Sequence, residues 1–256
     1  MRWLLTCALA GIVSMLGFAA RASHATSPVP VAFGVSWDGP GHDLQHVVDA
    51  YLGTPGVINV KTDYVGAHPG DLDPWFWVGK SFPAIMVAEI AGNANINELD
   101  WYIETGTKPV LNGSNHGIVF DGPATVGNAT VVTFPSGTTK FGFFLDTHKT
   151  ISTPTGAQEQ LFWTNRFYNG VGPSFSGVAL HPPYDGNVQA LVFDVSMWRG
   201  PNTWLVCFED CDSGLAVTPC CDGTDNDYND LVFEVTALGA TPTQTLSFGQ
   251  LKARYR

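Results

Sequence analysis

Between positions 204 and 235 the chain reads WLVCFEDCDSGLAVTPCCDGTDNDYNDLVFEV. Two apolar runs of strand length, Trp204 to Phe208 and Leu231 to Val235, bracket a loop of acids, asparagines and cysteines. Apolar runs this short, bounded by turn-forming residues, fit buried strands, and a polar loop between them fits an antiparallel pair. Eight of the 23 acidic residues lie here: Glu209, Asp210, Asp212, Asp222, Asp225, Asp227, Asp230 and Glu234. No Lys or Arg occurs between Arg199 and Lys252. Carboxylates crowded together without a cation repel one another and make folding costlier. A fold built on this pair of strands therefore calls for a positive charge from outside the chain.

Calcium is the expected source. Asp225, Asp227 and Asn229 stand at alternate positions with Asp230 next, and a calcium ion takes about six to eight oxygens from such side chains. The D-x-D-x-N order resembles the start of an EF-hand loop, but the flanks read as strands, so an EF-hand is rejected. Antiparallel pairing of the two runs brings Glu209 and Asp210 towards the 227–230 end. The expected ligand set is Glu209, Asp210, Asp225, Asp227, Asn229 and Asp230. Magnesium fits less well, because it demands a smaller, strict octahedral shell. The competing reading is that Asp and Asn are merely good turn formers.

Four cysteines punctuate the same stretch: Cys207, Cys211, Cys220 and Cys221. They allow three pairings. Simple nesting would join Cys211 to Cys220 with Cys207 to Cys221 behind it, though spacing does not decide. Adjacent Cys220 and Cys221 suit tetrahedral zinc poorly, and an oxidising compartment favours bridges.

FED at 208–210 followed by DNDYNDLVFEV at 225–235 resembles a family of secreted bacterial domains of unknown function. The family occurs in adhesins and PEP-CTERM-type surface proteins. KFGFFLD at 140–146 is similar to its opening strand and LFWTNRFYN at 161–169 to its middle one, so the resemblance covers about 140–236. It implies a calcium-dependent β-sandwich module. The family's glycine-rich insert is replaced here by the cysteine loop 211–223.

The remainder of the chain fits an all-β fold. Residues 1–22 carry Arg2, an apolar stretch and the small-residue pattern Ala20-Arg21-Ala22, the marks of a signal peptide; residues 23–30 read as a disordered lead-in. Loss of Arg2 and Arg21 takes the formal charge from −11 to −13, which disfavours nucleic acid and anionic lipid. No later stretch is apolar enough to span a bilayer. Asp43 is placed to cap a short helix with Leu44, Val47, Val48, Tyr51 and Leu52 on one face, ended by Gly53. Short apolar runs follow at fairly even intervals between Gly and Pro turns, starting with Val31 to Trp37, and they predict a single β-sandwich or jelly roll over 31–238 with one short helix near the N-terminus. Residues 239–256 read as a linker and a short basic tail.

These features predict a secreted, calcium-binding, non-catalytic module for cell-surface or matrix interaction. A calcium-dependent carbohydrate-binding module is the alternative, with Trp75 and Trp77 as a possible ligand platform. Trp37, Trp101 and Trp204 sit in apolar patterns that read as core. A glycoside hydrolase of sandwich fold is the second alternative. It would need two paired carboxylates, and nothing in the sequence pairs Glu89, Glu98, Glu104 or Glu159. No G-x-S-x-G elbow or histidine metal pair is present.

Overall fold

The computed structural model describes residues 31, 33–67, 76–77, 81–92, 94–153, 156–169, 188–211 and 225–237. The expected signal peptide, the lead-in, the segment 177–180, and the tail from 239 onwards lie outside them. In chain order the described elements are α1 (Leu44–Leu52), β1 (Phe76–Trp77), β2 (Ser81–Glu89), β3 (Glu98–Ile103), β4 (His116–Phe120), β5 (Ala129–Thr133), β6 (Lys140–Thr153) and β7 (Gly156–Trp163). A 3₁₀ turn (Arg166–Tyr168), β8 (Ala190–Asp194), α2 (Ser196–Arg199), β9 (Thr203–Phe208) and β10 (Leu231–Thr236) complete them.

The fold is an all-β sandwich of two antiparallel sheets. The first has the order β1-β6-β3-β4, with β7 also paired to β6; the second has the order β5-β2-β10-β9-β8. Phe144 pairs with Asp100 of β3 and Trp163 of β7, while Phe141 pairs with Ile103 of β3 and Phe76 of β1. Strands β1 and β7 thus share the edge of β6 opposite β3. The facing sides of the sheets bury Phe76, Phe82, Leu99, Phe141, Phe143, Val206, Phe208, Phe233 and Val235 among others. Aromatic rings knit the layers: Phe143 meets Phe233 edge-on at 4.8 Å, and Phe82 stacks on Phe141 at 4.9 Å. Each fully buried ring of this size contributes about 2–3 kcal/mol relative to exposure.

The second sheet is covered on its other face as well. Leu44 and Val48 of α1, together with Ile58, Val60 and Tyr64, bury Leu191, Phe193, Leu205, Cys207 and Val232. That double burial is why β9 and β10 read as near-continuous apolar runs, interrupted in β10 by Glu234, rather than alternating ones. Helix α1 follows the sequence closely. The Asp43 side chain accepts from His46 N at its start, and Gly53 closes it with φ +68°. Tyr51 donates its hydroxyl proton to Glu234 of β10 at 2.6 Å, and Arg199 pairs with the same carboxylate at 2.8 Å. Glu234 therefore belongs to this clamp and not to the acidic loop.

One expected strand does not form. Among its described residues, 31 and 33–37 run as irregular chain. Gly34 N donates to Asn226 O at 3.1 Å and Val31 N to the Tyr64 hydroxyl at 3.3 Å. This segment is a tether for the acidic loop, and its alternating apolar pattern has no ladder to join.

Candidate metal centre

Strand β10 pairs with β9 so that Leu231 lies opposite Phe208. The residues just beyond that pair, Glu209 and Asp210 on one side and Asp230 on the other, meet at the same end of the sheet. Asp210 N donates to Asp230 Oδ2 at 2.7 Å, and Tyr228 N donates to Glu209 Oε2 at 3.2 Å. The cross-strand convergence expected from the sequence is present in the backbone.

The loop before β10 is shaped by two left-handed residues, Asn226 (φ +50°) and Tyr228 (φ +59°). Asn visits this region readily; a tyrosine does so at a cost of about 1–2 kcal/mol. Packing holds it there. Tyr228 is buried, its ring lies 5.6 Å from Phe33, and its hydroxyl donates to Val188 O at 2.9 Å.

Asp225 and Asp227 draw in a third carboxylate from far away in the chain. Carboxylate oxygens of Asp38, Asp225 and Asp227 all lie within 4.8 Å of one another, grading from exposed Asp38 through Asp225 to buried Asp227. Trp37 N donates to Asp225 Oδ2 at 2.9 Å. Asn229 Nδ2 donates to His42 O at 2.6 Å, to Asp227 Oδ2 at 2.7 Å and to Asp38 Oδ2 at 3.4 Å. Asn229 is wholly buried, yet its Oδ1 has no hydrogen-bond partner among the described residues. A buried carbonyl oxygen without a donor costs about 1–3 kcal/mol unless something electropositive reaches it.

The electrostatics point the same way. Burial pushes Asp227 up to about 6 against the downward pull of a Ser36 hydrogen bond, with Asp225 and then Asp38 adding smaller upward contributions. Asp225 is also raised, chiefly by burial. Burial, then Asp210 and Glu209, raise Asp230 well above the usual carboxylate range. Glu89, at the end of β2, is pushed up to about 7 by burial and by Asp210.

The six expected ligands thus occupy two adjoining places. Asp225, Asp227 and Asn229 gather with Asp38. Glu209, Asp210 and Asp230 form a neighbouring buried set, into which Asn97 Nδ2 donates at 3.2 Å to Asp210 Oδ2. Asp38 and Asn97 were missed in the sequence. Asp38 sits in a Gly- and Pro-rich turn, where a lone Asp reads as a turn residue, and Asn97 ends the alternating series Asn93, Asn95 and Asn97.

The cysteines require a correction. Cys211 is disulfide-bonded; Cys220 and Cys221 lie outside the described residues. Cys207 is a free thiol, fully buried. It stands mid-strand in β9, between Val232 and Leu191 of the flanking strands. Its side chain enters the apolar cluster under α1, where it packs as a small hydrophobe, and burial pushes its pKa up.

The tryptophans also divide. Trp101 and Trp204 are core residues, whereas Trp37 is 66 % exposed. Trp75 and the Trp77 side chain lie outside the described residues. Of the glutamates weighed for catalysis, Glu104 accepts from the hydroxyls of Tyr102 and Tyr168 and from Asn165 Nδ2. Glu98 shares a hydrogen bond with Asp100, and the Glu159 side chain lies outside the described residues.

Comparison with protein-family models, characterised proteins and solved structures gave no match.

Proposed function

We propose that the protein is an exported, calcium-binding, non-catalytic β-sandwich module that serves interaction at a cell surface or in an extracellular matrix. The observation that carries the calcium reading is Asn229. Its amide nitrogen donates to His42 O and to Asp227 and Asp38 of the three clustered carboxylates, while its oxygen is buried with no partner among the described residues. A hard divalent cation ligated by Asp38, Asp225, Asp227 and Asn229 Oδ1 satisfies that oxygen and offsets the repulsion in one step. The donors are all oxygens, which favours calcium over softer metals. The family resemblance, resting on FED at 208–210 and DNDYND at 225–230, supports the surface role.

Titration calorimetry with calcium, and thermal melting with calcium against chelator, test this reading. An ion that binds only the folded chain stabilises it by about 2.7 kcal/mol at a hundredfold excess over its dissociation constant. The Asp225→Asn, Asp227→Asn double variant should lose both the heat and the shift. A wild-type chain that melts identically in calcium and in chelator would remove the metal from the account.

A further inference from the structure

We infer that the same centre is the binding site for a neutral glycan, with the bound ion taking a vicinal pair of sugar hydroxyls and the Trp37 indole packing against the sugar ring. The inference rests on the calcium reading above and goes beyond it in naming the ligand class.

Three observations carry it. The first is the open side of the centre. Asp227 is buried but Asp38 is exposed, so an ion held there faces solvent across Asp38. Three carboxylates bound through one oxygen each, together with Asn229 Oδ1, supply four ligands. A calcium ion takes about six to eight, so about two to four positions are left, and the exposed Asp38 side opens the centre to solvent. Adjacent hydroxyls of a sugar fill two of them in place of water.

The second is Trp37. Its main-chain nitrogen is fixed to Asp225 Oδ2 at 2.9 Å and it is the chain neighbour of Asp38. Its side chain is nonetheless 66 % exposed, and Val35, two residues earlier, is 82 % exposed. A large aromatic left in water on a segment pinned by its backbone offers its ring to solvent next to the centre. It can cover the apolar face of a sugar.

The third is charge. Three carboxylates and one divalent cation leave the centre at −1, on a chain of formal charge −11. An anionic sugar such as a uronate meets net repulsion there, whereas a neutral hexose does not.

The test uses the full chain and immobilised neutral polysaccharides: mannan, galactan and dextran. Calorimetry first measures calcium uptake, so failure of the metal reading is seen by itself. With calcium present, retention on at least one of the three is expected, lost on chelation, weakened at least tenfold by Trp37→Ala and only partly by Trp37→Phe. The Trp37→Ala chain should still take up calcium and melt as the parent does, which separates loss of the platform from loss of the fold. Calcium uptake without retention on any neutral polysaccharide overturns the inference, as does retention that survives chelator or Trp37→Ala. Retention on polygalacturonate alone overturns it too.

Discussion

Gly34 and Asp225 approach each other so closely that a β-carbon built on Gly34 would lie 1.6 Å from the Asp225 carbonyl oxygen. No side-chain adjustment relieves a contact with backbone. The hydrogen bond from Gly34 N to Asn226 O is made at the same crossing, so the tether and the acidic loop are fixed by one glycine. Gly34→Ala should force the two segments apart. The expected loss of stability is about 2–3 kcal/mol, the range of overpacked sites, with a weaker calcium affinity because Asp38 moves away from Asp225 and Asp227. Urea unfolding and calorimetry read the two effects. An alanine chain with unchanged midpoint and affinity would show that this crossing does not assemble the centre.

Asn229→Asp separates the two roles of that side chain. The carboxylate keeps an oxygen for the ion but cannot donate to His42 O, Asp227 Oδ2 and Asp38 Oδ2, which the amide now serves. In chelator the variant should be destabilised by about 3 kcal/mol or more, as expected for a buried charge without partners. In calcium much of that loss should return, so the calcium-induced rise in melting temperature should exceed that of the parent. Equal melting of both chains in chelator would mean that the amide donors contribute nothing to the loop.

The sequence made α1 and the β9–β10 pair legible because their signals are local. Asp43, the apolar face and Gly53 lie within one short segment, and two apolar runs flanking a polar loop have few other ways to bury themselves. The acidic cluster was half legible for the same reason: Asp225, Asp227 and Asn229 alternate within one short loop. Asp38 was hidden because 187 positions separate it from Asp225 and no periodicity links them. Trp37 was misread because the alternation from Val31 to Trp37 fits an edge strand, and only the ladder, fixed by distant residues, decides whether a strand is admitted. Cys207 was misread because an even count of cysteines invites pairing, while register places this one in the core under α1.

That placement makes Cys207 chemically silent. A thiol with no exposed surface and a raised pKa reacts only when the chain opens, since the thiolate is the attacking species. The folded protein should yield no fast reaction of Cys207 with a disulfide reagent, and one further equivalent should appear on addition of denaturant. Cys207→Ser should cost about 1–3 kcal/mol by placing a hydroxyl among Val232, Leu191 and Leu205, with Cys207→Ala milder. Rapid labelling of Cys207 in the native state, mapped by peptide mass, would contradict the buried position.

A second acidic group, on the outer face of the first sheet, sets a pH dependence independent of calcium. Asp100 of β3 is buried and shares a hydrogen bond with Glu98; its pKa is pushed up to about 8 by burial, then by Glu98 and Asp146. Asp146 is itself raised by burial, although His148, whose backbone nitrogen donates to Asp146 Oδ1 at 2.7 Å, pulls it the other way. The His148 ring lies 3.5 Å from Asp146 Oδ2 and 3.9 Å from Glu98 Oε2. A carboxyl whose pKa is higher folded than unfolded binds its proton more tightly in the native state. Between the unfolded value of about 4 and about 8, the native chain therefore holds more protons, and stability falls as pH rises through that window. Asp100→Asn keeps the shape, cannot ionise, and still donates a hydrogen to Glu98. In chelator it should melt close to the parent at pH 5 and above it at pH 8, by about 1–2 kcal/mol, in keeping with the removal of an unpaired buried charge. The diagnostic result is the divergence of the two pH profiles as pH rises; an asparagine chain whose profile runs parallel to the parent's between pH 5 and pH 8 would place the shared proton elsewhere than on Asp100.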